Sequence, residues 1–137
     1  MEHNGQPTSQ PISALGLIAS IIDAQLDDAR DQHELLLRAR PYVLDDATVE
    51  RLLRVYGEMA EDNWLYDEQL ARWEAQAISS AQRREVERLK SQMADLRDVV
   101  GRILDLGARL KGETIEVLLA KSDIEIGIEG LLGRRER

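Results

Sequence analysis

The chain has 137 residues, of which 43% are apolar and 32% are charged, and its formal net charge is −8. This length predicts one domain, and this apolar fraction is typical of a globular protein rather than a disordered one. The absence of cysteine excludes disulfides, thiolate nucleophiles and cysteine metal sites. The net negative charge argues against nucleic acid as a partner, because affinity for phosphate comes from clustered Lys and Arg.

The N-terminal segment, residues 1–11, is rich in Pro, Gly, Ser and Gln and is predicted to be a disordered arm. The apolar stretch at residues 12–22 follows no Lys or Arg and runs into Asp23 without a small-residue cleavage site. It is also too short to span a bilayer. We therefore expect a cytoplasmic protein that does not enter a membrane.

Three long helices are predicted, over about residues 13–40, 46–78 and 80–111. Pro41 ends the first helix, Asp45 is a good N-cap for the second, and Ser79 with Gln82 forms a capping box for the third. Each helix carries a row of residues spaced three and four apart, here called its seam, which is predicted to face the core. The seams are Leu15, Ile18, Ile22, Leu26, Ala29, His33 and Leu36; Val49, Leu52, Tyr56, Met59, Asn63, Tyr66, Leu70, Trp73 and Ala77; and Gln82, Val86, Leu89, Met93, Leu96, Val100, Ile103, Gly107 and Leu110.

The connection between the second and third helices is read from a break in this spacing. The step from Ala77 to Gln82 is five residues, which favours a turn at residues 79–81. A single helix over residues 46–110 is the alternative, since no Gly or Pro stands at this point.

The C-terminal part predicts one or two short helices, at residues 114–121 and 123–132, before a charged tail at 134–137. Isoleucines at 124, 126 and 128 alternate with Glu and Gly, which is a strand pattern. A helix is the preferred interpretation because a lone strand has nothing to pair with in an all-helical chain.

These elements predict an all-α fold with a single domain over residues 12–133. The expected architecture is an up-down-up bundle of three long helices with coiled-coil-like packing, plus the short C-terminal helices. Adjacent apolar pairs widen the helix faces beyond what three helices need. We therefore expect a homo-oligomer, a dimer as the first guess, or a helical protein partner. The candidate interface residues are Trp64, Leu65, Leu35, Ile124, Ile128 and Leu131.

Four acidic residues form the candidate catalytic set: Glu58 with Glu61, and Asp95 with Asp98. Their E-x-x-E and D-x-x-D pairs resemble the motifs of the all-α, MazG-like nucleotide pyrophosphatases, with an Asp where that family has Glu at the third acid. The resemblance implies Mg²⁺ held over a phosphate chain. However, the seams place both pairs on the sides of their helices that face away from the core. Solubilising charge on a hydrated surface is the preferred interpretation, with no catalytic residue, metal or cofactor.

Several seam residues are polar or aromatic. We expect His33 to be a half-buried imidazole that is hydrogen-bonded across the core, and Asn63 to fix the helix register through a buried amide. Tyr56, Tyr66 and Trp73 are predicted to be core residues, whereas Trp64 lies just off the seam and is a candidate for an exposed interface anchor.

The charges are unevenly distributed along the chain. Residues 41–78 contain 3 basic and 9 acidic residues (3 − 9 = −6), and residues 79–111 contain 8 basic and 5 acidic residues (8 − 5 = +3). The two segments are expected to pair with each other. Together these features predict a non-enzymatic helical interaction or oligomerisation module. The alternatives are a Mg²⁺-dependent nucleotide pyrophosphatase and a nucleic-acid-associated accessory protein that uses the third helix and the C-terminal tail.

Overall fold

A computed structural model describes residues 9–123, and the fold is all-helical over that range. A 3₁₀ turn at Ile12–Ala14 leads into the first helix, and a second at Lys111–Glu113 follows the last long one. The helices are α1 (Leu15–Arg38), α2 (Asp46–Asp62), α3 (Trp64–Glu74) and α4 (Ser80–Leu110). Residues 115–123 are also helical and are called α5 here. The short helix predicted at 123–132 and the charged tail lie outside the described residues.

Helix α4 is the centre of the fold, because α1, α2 and α3 all pack against it. Arg88 of α4 pairs with Asp23 of α1. Asp95, about two turns further along α4, pairs with Arg30, which lies further along α1. Helices α1 and α4 therefore run in the same direction.

Helix α3 runs in the direction opposite to α4. Lys90 pairs with Glu74, and Arg97, further along α4, pairs with the earlier Asp67. Three helical segments thus pack together, α1, the α2–α3 segment and α4; coiled-coil-like packing stays a prediction.

The core is built from the predicted seams. On α4 every apolar seam residue is buried, and Gln82, in the first turn of the helix, is half-buried. On α1 all seam residues are buried except Ile18 and His33, which are half-buried. The largest fully buried side chains are Trp73, Ile22, Leu26, Leu70, Leu89, Met93, Leu96, Ile103, Val49, Val86, Val100 and Thr114.

The prediction of one continuous second helix is wrong, because the regular helix is interrupted at Asn63. The N–H of Asn63 still donates to the carbonyl of Met59, at 2.9 Å. The Asn63 carbonyl accepts from the N–H groups of both Tyr66 and Asp67, at 3.1 and 3.3 Å. Sharing one carbonyl between the i+3 and i+4 donors tightens the turn, as at helix ends. The seam nevertheless continues, since Leu70 and Trp73 beyond the break are buried.

The same predicted helix also ends earlier than expected, at Glu74 rather than residue 78. Arg83 of α4 donates to the carbonyl oxygens of Glu74 and Gln76, at 3.2 and 3.3 Å. These bonds satisfy carbonyls that have no partner at a helix end. Ala77, predicted in the seam, is consequently exposed. A break between the second and third predicted helices is present, but it lies at residues 75–79 rather than 79–81, because α4 already begins at Ser80. The Ser79–Gln82 capping box that starts α4 is present as predicted.

Helix α5 is fixed to the start of α2. The N–H of Tyr42 donates to the Glu113 carbonyl, and the N–H of Ile115 donates to the Leu44 carbonyl. Thr114, which is fully buried, donates its hydroxyl to Asp46 at 2.6 Å and accepts from the N–H of Val117. The threonine therefore caps α5 while it holds that helix against α2.

Two glycines of α4, Gly101 and Gly107, have different surroundings, which gives a paired stability test. A methyl group on Gly101 would meet nothing within 4 Å, whereas one on Gly107 would lie 2.8 Å from Cδ2 of Leu53 and 3.2 Å from Cδ2 of Leu52. Alanine is preferred to glycine inside a helix by about 0.5–1 kcal/mol. We expect Gly101→Ala to raise the free energy of unfolding by that amount.

Gly107→Ala is expected to gain clearly less than Gly101→Ala, because Leu53 must move to admit the methyl group. Urea denaturation followed by far-UV circular dichroism measures both variants. Equal gains would contradict a close approach of α2 to α4 at Gly107.

Candidate functional sites

The four acidic residues of the candidate catalytic set are all exposed to solvent. The side chains of Asp95 and Asp98 are 55% and 62% exposed. Asp95 lies 3.5 Å from Arg30 of α1, and Asp98 pairs with Arg102 one turn further along its own helix. Within residues 9–123, no three Asp, Glu or His side chains come close enough together to hold a metal ion. The structure therefore does not bring the two acidic pairs into one site.

The acidic and basic segments pair across the bundle as the charge distribution predicts. Lys90 binds Glu74 through both carboxylate oxygens, at 2.9 and 3.1 Å, and Arg97 binds Asp67 at 2.6 Å. These residues are partly exposed, so each pair contributes little to stability. The pairs instead favour one arrangement of α3 beside α4 over its alternatives.

A second charged cluster, centred on Arg88, joins α4 to α1. The guanidinium donates two hydrogen bonds to Asp23, at 2.9 and 3.1 Å, and two to Glu85, at 2.8 Å each. Gln92 adds a further bond to Asp23. Hydrogen bonds from Arg88 hold the pKa of both carboxyl groups below their ordinary values, and the two carboxylates raise the pKa of Arg88.

This cluster makes a testable contribution to acid sensitivity. Asp23 and Glu85 have lowered pKa values in the folded chain, so their stabilisation is complete above the unfolded values near 3.8 and 4.5. It is lost as the pH falls through the lower folded values. Because the groups are 34–43% exposed, we expect Arg88→Met to cost at most about 1 kcal/mol near neutral pH.

The cost of Arg88→Met should be smaller at about pH 2 than near neutral pH, because the carboxyl groups take up protons as the pH falls through their lowered pKa values. Urea denaturation of the variant and the wild type at both pH values measures this. Arg84→Met, at an exposed position of the same helix, is the control. A cost that is the same at both pH values would show that Arg88 acts through packing and not through its charge.

His33 is half-buried, as the sequence predicts. It lines a shallow surface depression together with charged residues of its own helix, Asp27, Arg30, Asp31 and Glu34. The predicted hydrogen bond across the core stays a prediction.

The aromatic residues lie where their seam positions predict. Trp73 is fully buried, Tyr56 is buried, Tyr66 is half-buried, and Trp64 is 49% exposed. Burial raises the pKa of the Tyr56 hydroxyl, and the negative charge of Asp28 raises it further. Tyr56 is therefore a neutral hydroxyl at physiological pH, and the role of Trp64 as an interface anchor stays a prediction.

The candidate interface residues fall on two separate surfaces. Leu65 lines a cavity of about 310 Å³ with Ile18 and Gln69, near the start of α1. Leu35 lines another, of about 220 Å³, with Leu44 and other residues where α1 ends and α2 begins. Ile124, Ile128 and Leu131 lie outside the described residues.

Leu35 is one of several large apolar side chains that are exposed in this part of the fold. Six of the large exposed apolar side chains belong to the end of α1, the connection to α2 and the start of α5, and these six residues are called the apolar end here. Its members are Leu35, Leu37, Val43, Ile115, Leu118 and Leu119, which are between 37% and 63% exposed. Three of them belong to α5 at positions i, i+3 and i+4, which form one face of a helix.

A polar site that the seams did not predict lies at the opposite end of the bundle. Gln69 Oε1 accepts from the N–H of Gln10 at 2.6 Å, and Gln69 Nε2 donates to the Gln10 carbonyl at 3.4 Å. The indole N–H of Trp73 donates to the same carbonyl at 2.8 Å. Gln10 is therefore part of the folded unit, two residues before its expected start. One signal in the sequence was available: a buried tryptophan needs an acceptor for its N–H.

Comparison with models of protein families, with curated proteins and with solved structures finds no match to this chain. Over the described residues, no helix combines the length and the hydropathy needed to cross a membrane.

Proposed function

We propose that this chain is a non-enzymatic helical interaction module that self-associates through its apolar end. The observation that carries the proposal is that six large apolar side chains are exposed in segments that meet at one end of the bundle. Large exposed apolar patches mark interaction sites in soluble proteins. A second copy of the chain is the proposed occupant, and a dimer in the cytoplasm is the proposed state.

The charged residues around the apolar end support a contact between identical copies. Arg38 and Arg40 are exposed where α1 ends, and Lys121 and Asp123 are exposed on α5. In a two-fold contact each surface meets itself in the opposite orientation. Acidic and basic groups on one rim are then able to pair with their counterparts, while the leucines are buried at the centre.

The experiment compares glutamate substitutions at the apolar end with one at the opposite end of α1. It uses two leucines of α1 with similar exposure. Leu37 is 63% exposed and belongs to the apolar end, whereas Leu17 is 65% exposed and lies near the start of α1. We expect sedimentation at micromolar concentration to give a dimer for the wild type and for Leu17→Glu. Leu37→Glu combined with Leu119→Glu is expected to give a monomer, because each glutamate must lose its water in the contact.

Circular dichroism spectra that match the wild type are the condition for comparing these variants. A wild-type monomer at micromolar concentration would contradict the proposal. Equal dissociation of Leu17→Glu and the apolar-end variant would also contradict it, by showing that added charge alone separates the copies.

A further inference from the structure

Three hydrogen bonds join the main chain of Gln10 to α3. Gln69 binds both its N–H and its carbonyl, and Trp73 binds the carbonyl as well. Gln69 is 7% exposed and Trp73 is fully buried, while Gln10 itself is exposed. The pair of side chains, here called the clamp, therefore binds main-chain groups that every extended residue except proline presents.

The segment held by the clamp has an extended conformation. Pro11 has φ −67° and ψ 155°, which are extended values, and a residue before proline is itself driven away from the helical region. An X–Pro pair therefore presents the N–H and the carbonyl of residue X without a large loss of backbone freedom on binding.

A surface cavity of about 310 Å³ adjoins the clamp, and the polar part of its wall consists of Gln10, Gln69, Asp62, Glu68 and Arg72. Ile18, Leu65 and Tyr66 supply its apolar lining. Sites that bind extended peptides combine main-chain hydrogen bonds with pockets for side chains. The clamp provides the first of these features, and the cavity provides the second.

We propose that the clamp and the adjoining cavity form a binding site for an extended, proline-containing peptide segment of a partner protein. Gln10 and Pro11 fill the clamp in cis, and they identify the chemistry of the segment that fits it. A partner segment must displace them, so its apparent affinity is reduced by the fraction of time for which the clamp is filled. The site lies at the opposite end of α1 from the apolar end, and the proposal does not depend on self-association.

The test compares two substitutions of Gln10 in the full chain. Gln10→Pro removes the N–H that Gln69 accepts, whereas Gln10→Ala keeps both main-chain groups and changes only an exposed side chain. The probe is a synthetic peptide with the sequence of residues 6–14, QPTSQPISA. The readout is the indole N–H resonance of Trp73, which Trp73→Phe distinguishes from that of Trp64.

We expect the peptide to shift the Trp73 resonance and to bind Gln10→Pro at least about tenfold more tightly than Gln10→Ala, a difference of about 1.4 kcal/mol. The same peptide N-methylated at its glutamine before Pro-Ile should lose that binding, because it lacks the donor for Gln69. The two peptides also provide the test on the Gln10→Ala protein, at higher concentration, if Gln10→Pro fails to fold.

Three results would overturn the proposal. The first is the absence of any peptide-dependent change at Trp73, and the second is equal binding of the plain and N-methylated peptides. The third is a Trp73 resonance that changes with the concentration of the wild-type protein but not with the peptide. That last result would assign the clamp to the arm of a second copy.

Discussion

Leu96→Ala is expected to lower the free energy of unfolding by about 2–5 kcal/mol, the range for a leucine truncated inside a packed core. Leu96 is fully buried in the middle of α4, the helix against which all the other long helices pack. Removing its side chain leaves a cavity, because surrounding helices held by their own contacts relax only partly. Urea denaturation of the variant and the wild type measures the loss.

The control variants are the two acidic neighbours of Leu96 on the same turns of α4. Asp95→Asn and Asp98→Asn should each change the free energy of unfolding by less than about 0.5 kcal/mol, because both side chains are exposed and their ion pairs are screened by water. A loss of less than about 1 kcal/mol for Leu96→Ala, or larger losses for the aspartates, would contradict the assigned core face of α4.

The contrast between Leu96 and its acidic neighbours shows why the core was predictable from the sequence. A spacing of three and four is a property of the helix itself, so it assigns faces without knowledge of the partner helix. The same property placed Asp95 and Asp98 in solvent. Caps were predictable for a similar reason, since Asp45 binds the N–H of Thr48 only three residues away.

The features that were not predicted depend on contacts between residues that are far apart in the sequence. Gln69 binds Gln10 across 59 positions, and nothing around either residue indicates the other. The early end of α3 depends on Arg83, which reaches back from α4 to the carbonyl of Glu74. Helix periodicity describes a face, and it does not say which polar group on another element will meet it.

Asn63 shows one predicted feature and one that was not predicted: its position in the seam followed from the spacing, whereas the interruption of the helix there did not. It is 2% exposed, and among the described residues its side-chain Nδ2 has no hydrogen-bond partner. A buried donor without a partner costs about 1–3 kcal/mol. The proposed register role is consistent with that cost, since a polar residue in a seam trades stability for alignment.

Asn63→Leu is therefore expected to raise the free energy of unfolding by about 1–3 kcal/mol, because an apolar side chain of similar size leaves no unpaired amide. The backbone of Asn63 has φ −61° and ψ −24°, which leucine adopts without strain. Asn63→Asp is the control of matched size, and it should lower stability at neutral pH by placing a carboxylate in the core. Urea denaturation measures both variants. A loss of stability in Asn63→Leu would show that the amide gains more from a bound water or another partner than the seam gains from a leucine. In that case a hydrogen bond of the Asn63 amide would stabilise the interruption of the helix.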